Sequence, residues 1–204
     1  MQTINNKKIF IIDYGINNIL SIQRVFGYFS NNVRVIRNGS NIKQSEIDYL
    51  VLPGTGSFIY GYKNLKNKKF INLIKNHHIK QKPLIGICLG MQLFLTESYE
   101  FKKTKGLNFV DGKVLKLSSN KTHKIPNVGF KKVDFVKEKK SDYLFFLHSY
   151  YCEVNNKDYV HTKSKFYDFE FVSSFKKDNL LGCQYHPEKS GVAGLKIVKE
   201  FLGL

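Results

Sequence analysis

Leu84-Ile85-Gly86-Ile87-Cys88-Leu89-Gly90-Met91-Gln92 is the stretch on which the fold turns. An apolar run that reads as a buried strand passes without a linker into a cysteine between two glycines, and a helix-forming segment, residues 91–95, follows. Strand, sharp turn, helix is the order of a nucleophile elbow, in which the reactive side chain needs neighbours without bulk. The start of a helix also offers unpaired backbone N–H groups and the positive end of the dipole, surroundings that favour a thiolate. Taken alone, the nine residues allow a second account. Gly86 and Gly90 are then ordinary punctuation and Cys88 is a small apolar residue of the core, as most free cysteines are.

Upstream, residues 8–13 (Lys-Ile-Phe-Ile-Ile-Asp) form an apolar, β-branched run, the pattern of a strand buried on both faces. Ile19, Ile22, Val25, Phe26 and Phe29 then recur at helical spacing, with Asn17 or Asn18 as the expected cap. Short strands are expected at 33–36 and 48–52, the second running into Pro53-Gly54-Thr55-Gly56-Ser57. In open α/β sheets the ligand crevice lies beyond the C-terminal strand ends, so this loop and the elbow are expected to face each other. Phe70, Ile71, Leu73, Ile74 and Ile79 mark a helix between them, with His77-His78 as a cation-tolerant helix end. After the elbow the pattern turns to strands, at 109–110, 113–117, 129–135, 144–147, 150–154, 170–175 and 180–185. Asp111-Gly112 and Asp178-Asn179 serve as hairpin-type turns. Residues 192–202 close the chain as an amphipathic helix.

The 204 residues suit one domain, 1–204, and 42% hydrophobic content with 17 Phe and 12 Tyr suits a packed core. No apolar run approaches the roughly 18 residues of a membrane span, and the N-terminus lacks the order of a signal peptide, so a cytoplasmic protein is expected. Three widely spaced cysteines fit neither a disulfide framework nor a C-x-x-C site. The net charge of +17 invites a nucleic-acid reading, but Lys7-Lys8, Lys68-Lys69, Lys102-Lys103, Lys131-Lys132, Lys139-Lys140 and Lys176-Lys177 scatter along the chain. No arginine-rich helix or aromatic RNA-binding motif accompanies them, and no nucleic-acid partner is expected.

A cysteine nucleophile needs a base and a group to orient it. His186-Pro187-Glu188 supplies both after the strand at 180–185, and in an extended segment His186 and Glu188, two apart, project to one side.

Together these motifs resemble the class I, or triad-type, glutamine amidotransferases. Gly86 to Gln92 and His186-Pro187-Glu188 match that family's two hallmark motifs in order and separation, and the resemblance covers nearly the whole chain. It implies a three-layer α/β open sheet, flavodoxin-like, with a β-rich C-terminal half. Asp13-Tyr14-Gly15, Pro53-Gly54-Thr55-Gly56, His148-Ser149-Tyr150 and the run from His186 to Gly191 are most similar to the branch that feeds ammonia to a (β/α)8-barrel cyclase of histidine biosynthesis.

By that resemblance Cys88 attacks the side-chain amide of L-glutamine, His186 moves the proton and Glu188 holds the imidazole, without cofactor or metal. Leu89 N–H and a group of the Gly54-Thr55-Gly56 loop form the oxyanion hole, the loop acting as a switch. Gln92, Ser149 and Tyr150 hold the glutamine. Lys189 matches a position facing the cyclase, as do the segments containing Asn18 and Phe130. These two segments depart from the family pattern, which has Gly at Asn17 and Pro-His-Met-Gly-Trp-Asn where this chain reads Pro126-Asn127-Val128-Gly129-Phe130-Lys131. Relatives that supply ammonia for sugar amidination in surface polysaccharides depart similarly and are the second expectation.

Overall fold

The apolar run of β1 (Ile9–Ile12) is buried on both faces, and its alternation decides which layer each side chain enters. Ile9 and Ile11 pack with α1 (Ile19–Gly27), whereas Phe10 and Ile12 pack on the opposite side. The computed structural model describes residues 3–16, 18–40 and 42–204, so Asn17 lies outside the described residues. β2 (Val33–Ile36) and β3 (Tyr49–Leu52) follow, then α2 (Phe58–Asn67), α3 (Phe70–Ile79), β4 (Leu84–Ile87) and the short α4 (Leu89–Leu93). The β-rich half comprises β5 (Leu95–Ser98), β6 (Thr104–Lys105), β7 (Val110–Lys116), β8 (Asn127–Phe135), β9 (Ser141–His148), β10 (Tyr150–Val154), β11 (Val160–Phe166), β12 (Phe169–Lys177) and β13 (Leu180–Cys183). α5 (Gly191–Phe201) completes the chain.

One sheet runs through the molecule in the order β2-β1-β3-β4-β13-β12-β10-β7-β5-β6, with β11, β8 and β9 extending from β12. The first five strands are parallel, and α1 and α5 cover one face while α2 and α3 cover the other. This is the expected three-layer open sheet. Its decisive feature is β13, which arrives late in the chain yet pairs in parallel with β4, Gly182 opposite Gly86 and Cys183 opposite Ile87. The chain therefore leaves both strands at the same end of the sheet, carrying Cys88 from one and residues 184–188 from the other.

Several expectations are corrected. The elbow helix ends at Leu93, and Leu95 opens β5, because a fully buried Leu93-Phe94-Leu95 is placed by core and sheet rather than by helical propensity. Asp111 and Gly112 lie inside β7, where the register against β5 jumps from Leu95↔Val110 to Glu97↔Lys113, so they form a bulge and not a turn. Asp178-Asn179 is the expected hairpin, joining β12 to β13. α2, β5, β6 and β11 were not anticipated. Asn18 precedes α1, but its side chain makes no capping bond. His77 is fully buried between the Gln44 side chain and Pro83 O, and burial lowers its pKa to about 4, so it is neutral and no cation. Among the described residues no helix is long and apolar enough to cross a membrane.

Candidate active site

Cys88 sits between β4 and α4 at φ +54° and ψ −109°, a conformation L side chains rarely adopt, and is 6% exposed. The elbow closes against β3 so tightly that a Cβ on Gly90 would lie 1.8 Å from Leu52 O. Gly90→Ala is therefore expected to destabilise the fold by about 1–3 kcal/mol, read from denaturant unfolding, because backbone and not a movable side chain opposes the new methyl.

His186 is reached from β13. Its backbone N–H donates to Phe145 O at 2.8 Å, and the Ser190 hydroxyl bonds His186 O at 2.6 Å while accepting from Phe145 N–H at 2.9 Å. The residues after it are not extended as expected: Pro187–Lys189 form one 3-10 turn, since proline at the first position suits a helical start. The turn still delivers Glu188, whose Oε1 lies 2.7 Å from His186 Nδ1, both side chains being almost fully buried. His186 Nε2 has no hydrogen-bond partner at normal geometry among the described residues, and the group acting on it is Cys88. Burial pushes the His186 pKa down, but Cys88 and Glu188 together outweigh it and raise the value to about 10. The imidazole thus carries a proton at neutral pH.

The facing loop is in a closed arrangement. Leu89 N–H donates to Gly54 O at 3.4 Å, while the Thr55 N–H and hydroxyl each donate to Ile16 O at 2.9 Å. Tyr14, fully buried, anchors the loop by donating to Pro53 O at 2.8 Å. Of the groups expected for the oxyanion hole, the Leu89 and Thr55 amides are both spent on protein carbonyls, and Gly54 presents its carbonyl rather than an N–H to Leu89.

A cavity of about 110 Å3 opens beside Cys88, lined by Thr55, Gln92, Glu100, Leu147, Ser149 and Tyr150, among others. Gln92, Ser149 and Tyr150 are thus brought to the nucleophile. Gln92 Nε2 donates to Tyr150 O at 3.1 Å, and His148 Nδ1 shares that carbonyl at 2.9 Å. Burial holds His148 at a pKa of about 4, so it is neutral, and its Nε2 accepts from Asn127 Nδ2 at 2.9 Å.

Two residues of the site escaped sequence reasoning. Glu100 is buried, takes the Phe58 N–H at 2.5 Å, and has its pKa raised, chiefly by burial. Nothing local separates it from Glu97, which pairs with Lys103 at the surface. Gln184, a polar residue at the end of an apolar strand, donates to Cys88 Sγ at 3.5 Å; that polarity was the available signal. Away from the cavity, Phe130 is exposed, its ring centroid 5.6 Å from that of Phe145, and Lys189 Nζ lies 5.5 Å from the same Phe145 ring. Asn18 is likewise exposed. Among the described residues no cluster of His, Cys, Asp or Glu is placed to hold a metal ion.

Residues 10–203 match the model of the family Glutamine amidotransferase class-I, and the chain belongs to that family. It is 40% identical to the imidazole glycerol phosphate synthase subunit HisH of Caldanaerobacter subterraneus subsp. tengcongensis, over 94% of this chain and 95% of the relative. The subunit of the same name from Chlorobaculum tepidum is 36% identical, over 95% of this chain and 98% of the relative. Among solved structures, a glutamine amidotransferase superposes with a TM-score of 0.73 at 12% identity, covering 96% of this chain and 99% of the other. The PurLQS structure from Thermotoga maritima gives 0.71 at 15% identity, covering 97% and 98%. These structures share the fold.

Proposed function

We propose that this chain is the glutaminase subunit of an imidazole glycerol phosphate synthase, hydrolysing L-glutamine and passing the ammonia to a cyclase partner in histidine biosynthesis. The observation that carries the chemistry is the parallel pairing of β13 with β4, which puts the His186–Glu188 pair at the strand end that bears Cys88. The names of the two relatives carry the pathway and favour it over sugar amidination.

In this reading the Cys88 sulfur attacks the glutamine side-chain carbonyl, and the tetrahedral oxyanion is taken, once the loop has turned, by Leu89 N–H and Thr55 N–H. Collapse breaks the C–N bond, and the proton of His186 leaves with ammonia. His186, now neutral, takes a proton from water as it attacks the thioester, and the C–S bond breaks to release glutamate. Glu188 fixes Nδ1–H, so Nε2 is the nitrogen that exchanges the proton. The free glutamine carries an α-ammonium and an α-carboxylate. Glu100 is the acidic group of the cavity and suits the ammonium, while Gln92 and the Ser149–Tyr150 turn border the rest of the substrate. The partner is a (β/α)8-barrel cyclase docked on the face that carries Phe130, Lys189 and Asn18, forming a heterodimer.

The test is ammonia and glutamate release by the purified chain with the cyclase, together with trapping of a glutamyl adduct on Cys88 by a glutamine analogue. No turnover and no adduct would overturn the reading. Glu100→Gln is expected to raise KM for glutamine about 10- to 100-fold, the loss of one charged hydrogen bond, with kcat changed far less; an unchanged KM would remove Glu100 from the substrate site.

A further inference from the structure

Gln184 is fully buried at the end of β13, and the direction of its amide is fixed by a backbone carbonyl two steps away. Tyr150 O can only accept, so the end of Gln92 that lies 3.1 Å from it is the NH2 group. The other N–H of that group points 3.1 Å to Gln184, whose facing atom is therefore Oε1. The remaining end of Gln184 is then its own NH2, 3.5 Å from Cys88 Sγ. The opposite assignment would set carbonyl oxygen against carbonyl oxygen. The thiol has another neighbour, Leu147 O at 3.9 Å, which can accept from S–H but offers nothing to a thiolate.

We propose that Gln184 is a further catalytic residue, whose side-chain N–H stabilises the Cys88 thiolate before attack and again when the thioester breaks. This rests on the reading of Cys88 as the glutaminase nucleophile. In acylation the sulfur lone pair forms the C–S bond and the charge at sulfur vanishes. In deacylation water attacks the carbonyl, His186 takes its proton, and the C–S pair returns to sulfur, where the Gln184 N–H meets it. A donor to sulfur favours the charged sulfur of the two resting ends over the neutral thioester, and such charge-assisted bonds are the stronger kind. The other half of the amide acts separately, since Oε1 holds the Gln92 NH2 and so sets the wall of the substrate cavity.

Two variants separate these halves. Gln184→Glu keeps an acceptor for Gln92 and removes the donor to sulfur. Gln184→Met removes both and adds no charge. The readout is the pH–rate profile of Cys88 alkylation by iodoacetamide in the full chain without glutamine, together with kcat and KM in the complex with the cyclase. Both variants are expected to move the alkylation midpoint up by about one pH unit, the scale of one hydrogen bond to a charged group, and to lower kcat about tenfold or more. KM is expected to rise in Gln184→Met and to stay within about threefold in Gln184→Glu, where the Gln92 contact survives. An unmoved midpoint in Gln184→Met overturns the inference. A shift in Gln184→Glu alone does so too, being the field of the new carboxylate. If Gln184→Met fails to fold by thermal melting, Gln184→Asn, which withdraws the amide by one methylene, takes its place with the same two outcomes. A wild-type complex that releases no ammonia would sink the glutaminase reading, while the alkylation profile, which needs no glutamine, would still decide the role of Gln184.

Discussion

Cys88→Ala is expected to lower glutamine hydrolysis by about 10⁴-fold or more, to the background of the assay, since removing one member of a catalytic triad costs that much in other hydrolases. The substitution keeps the backbone strain at the elbow and removes only the sulfur. A normal thermal melt therefore separates loss of chemistry from loss of fold. His186→Ala belongs to the same unit, and the double variant is expected to be no worse than either single one, because neither residue acts without the other. Ammonia release measured with glutamate dehydrogenase is the check, and substantial turnover by Cys88→Ala would refute the nucleophile.

Binding of the cyclase is expected to raise kcat of the glutaminase by at least about 10²- to 10³-fold, the worth of one oxyanion-hole donor, since turning the loop frees two. In the free chain Leu89 N–H is occupied by Gly54 O and Thr55 N–H by Ile16 O, so a tetrahedral oxyanion would meet a carbonyl where it needs an amide. Turning the Gly54–Thr55 peptide exchanges the two, at the cost of the Thr55 N–H bond to Ile16 O. The bond to be broken lies on the loop that follows β1 and leads through Asn18 into α1, the segment assigned here to the partner face, so docking has a direct mechanical route to the peptide. Stopped-flow comparison of the free chain and the complex at saturating glutamine measures the ratio. Equal kcat values would mean that the closed loop does not limit the reaction. A methyl at Gly54 would lie 2.3 Å from the Tyr14 hydroxyl and 2.8 Å from Leu89 Cβ in this closed arrangement, so Gly54→Ala is expected to destabilise the closed loop and to shrink the difference in kcat between free chain and complex.

That Cys88 and the pair His186 and Glu188 would meet in one candidate site was legible because each lies in a short motif of distinctive residue types, and the first βα units were legible because β1 and α1 show clean apolar periods. The misses share one physical cause. Asp111-Gly112 reads as a turn in isolation, and only its register against β5 makes it a bulge. Glu100 and Gln184 acquire their roles from residues 42 and 96 positions away along the chain, through Phe58 and Cys88 respectively. Glu188 reaches His186 by another route than the extended one expected, since a 3-10 turn brings the two together.

The late arrival of β13 also has a consequence for synthesis. β4 leaves the ribosome almost a hundred residues before the strand that must lie beside it, so the middle of the sheet stays open while the whole β-rich half is being made. An unfinished chain holds Cys88 without His186 and leaves one edge of β4 unpaired, the kind of edge on which chains aggregate. The same order keeps glutamine safe from partial products, because the candidate triad is complete only when β13 and the residues after it, about the last eighth of the chain, are in place.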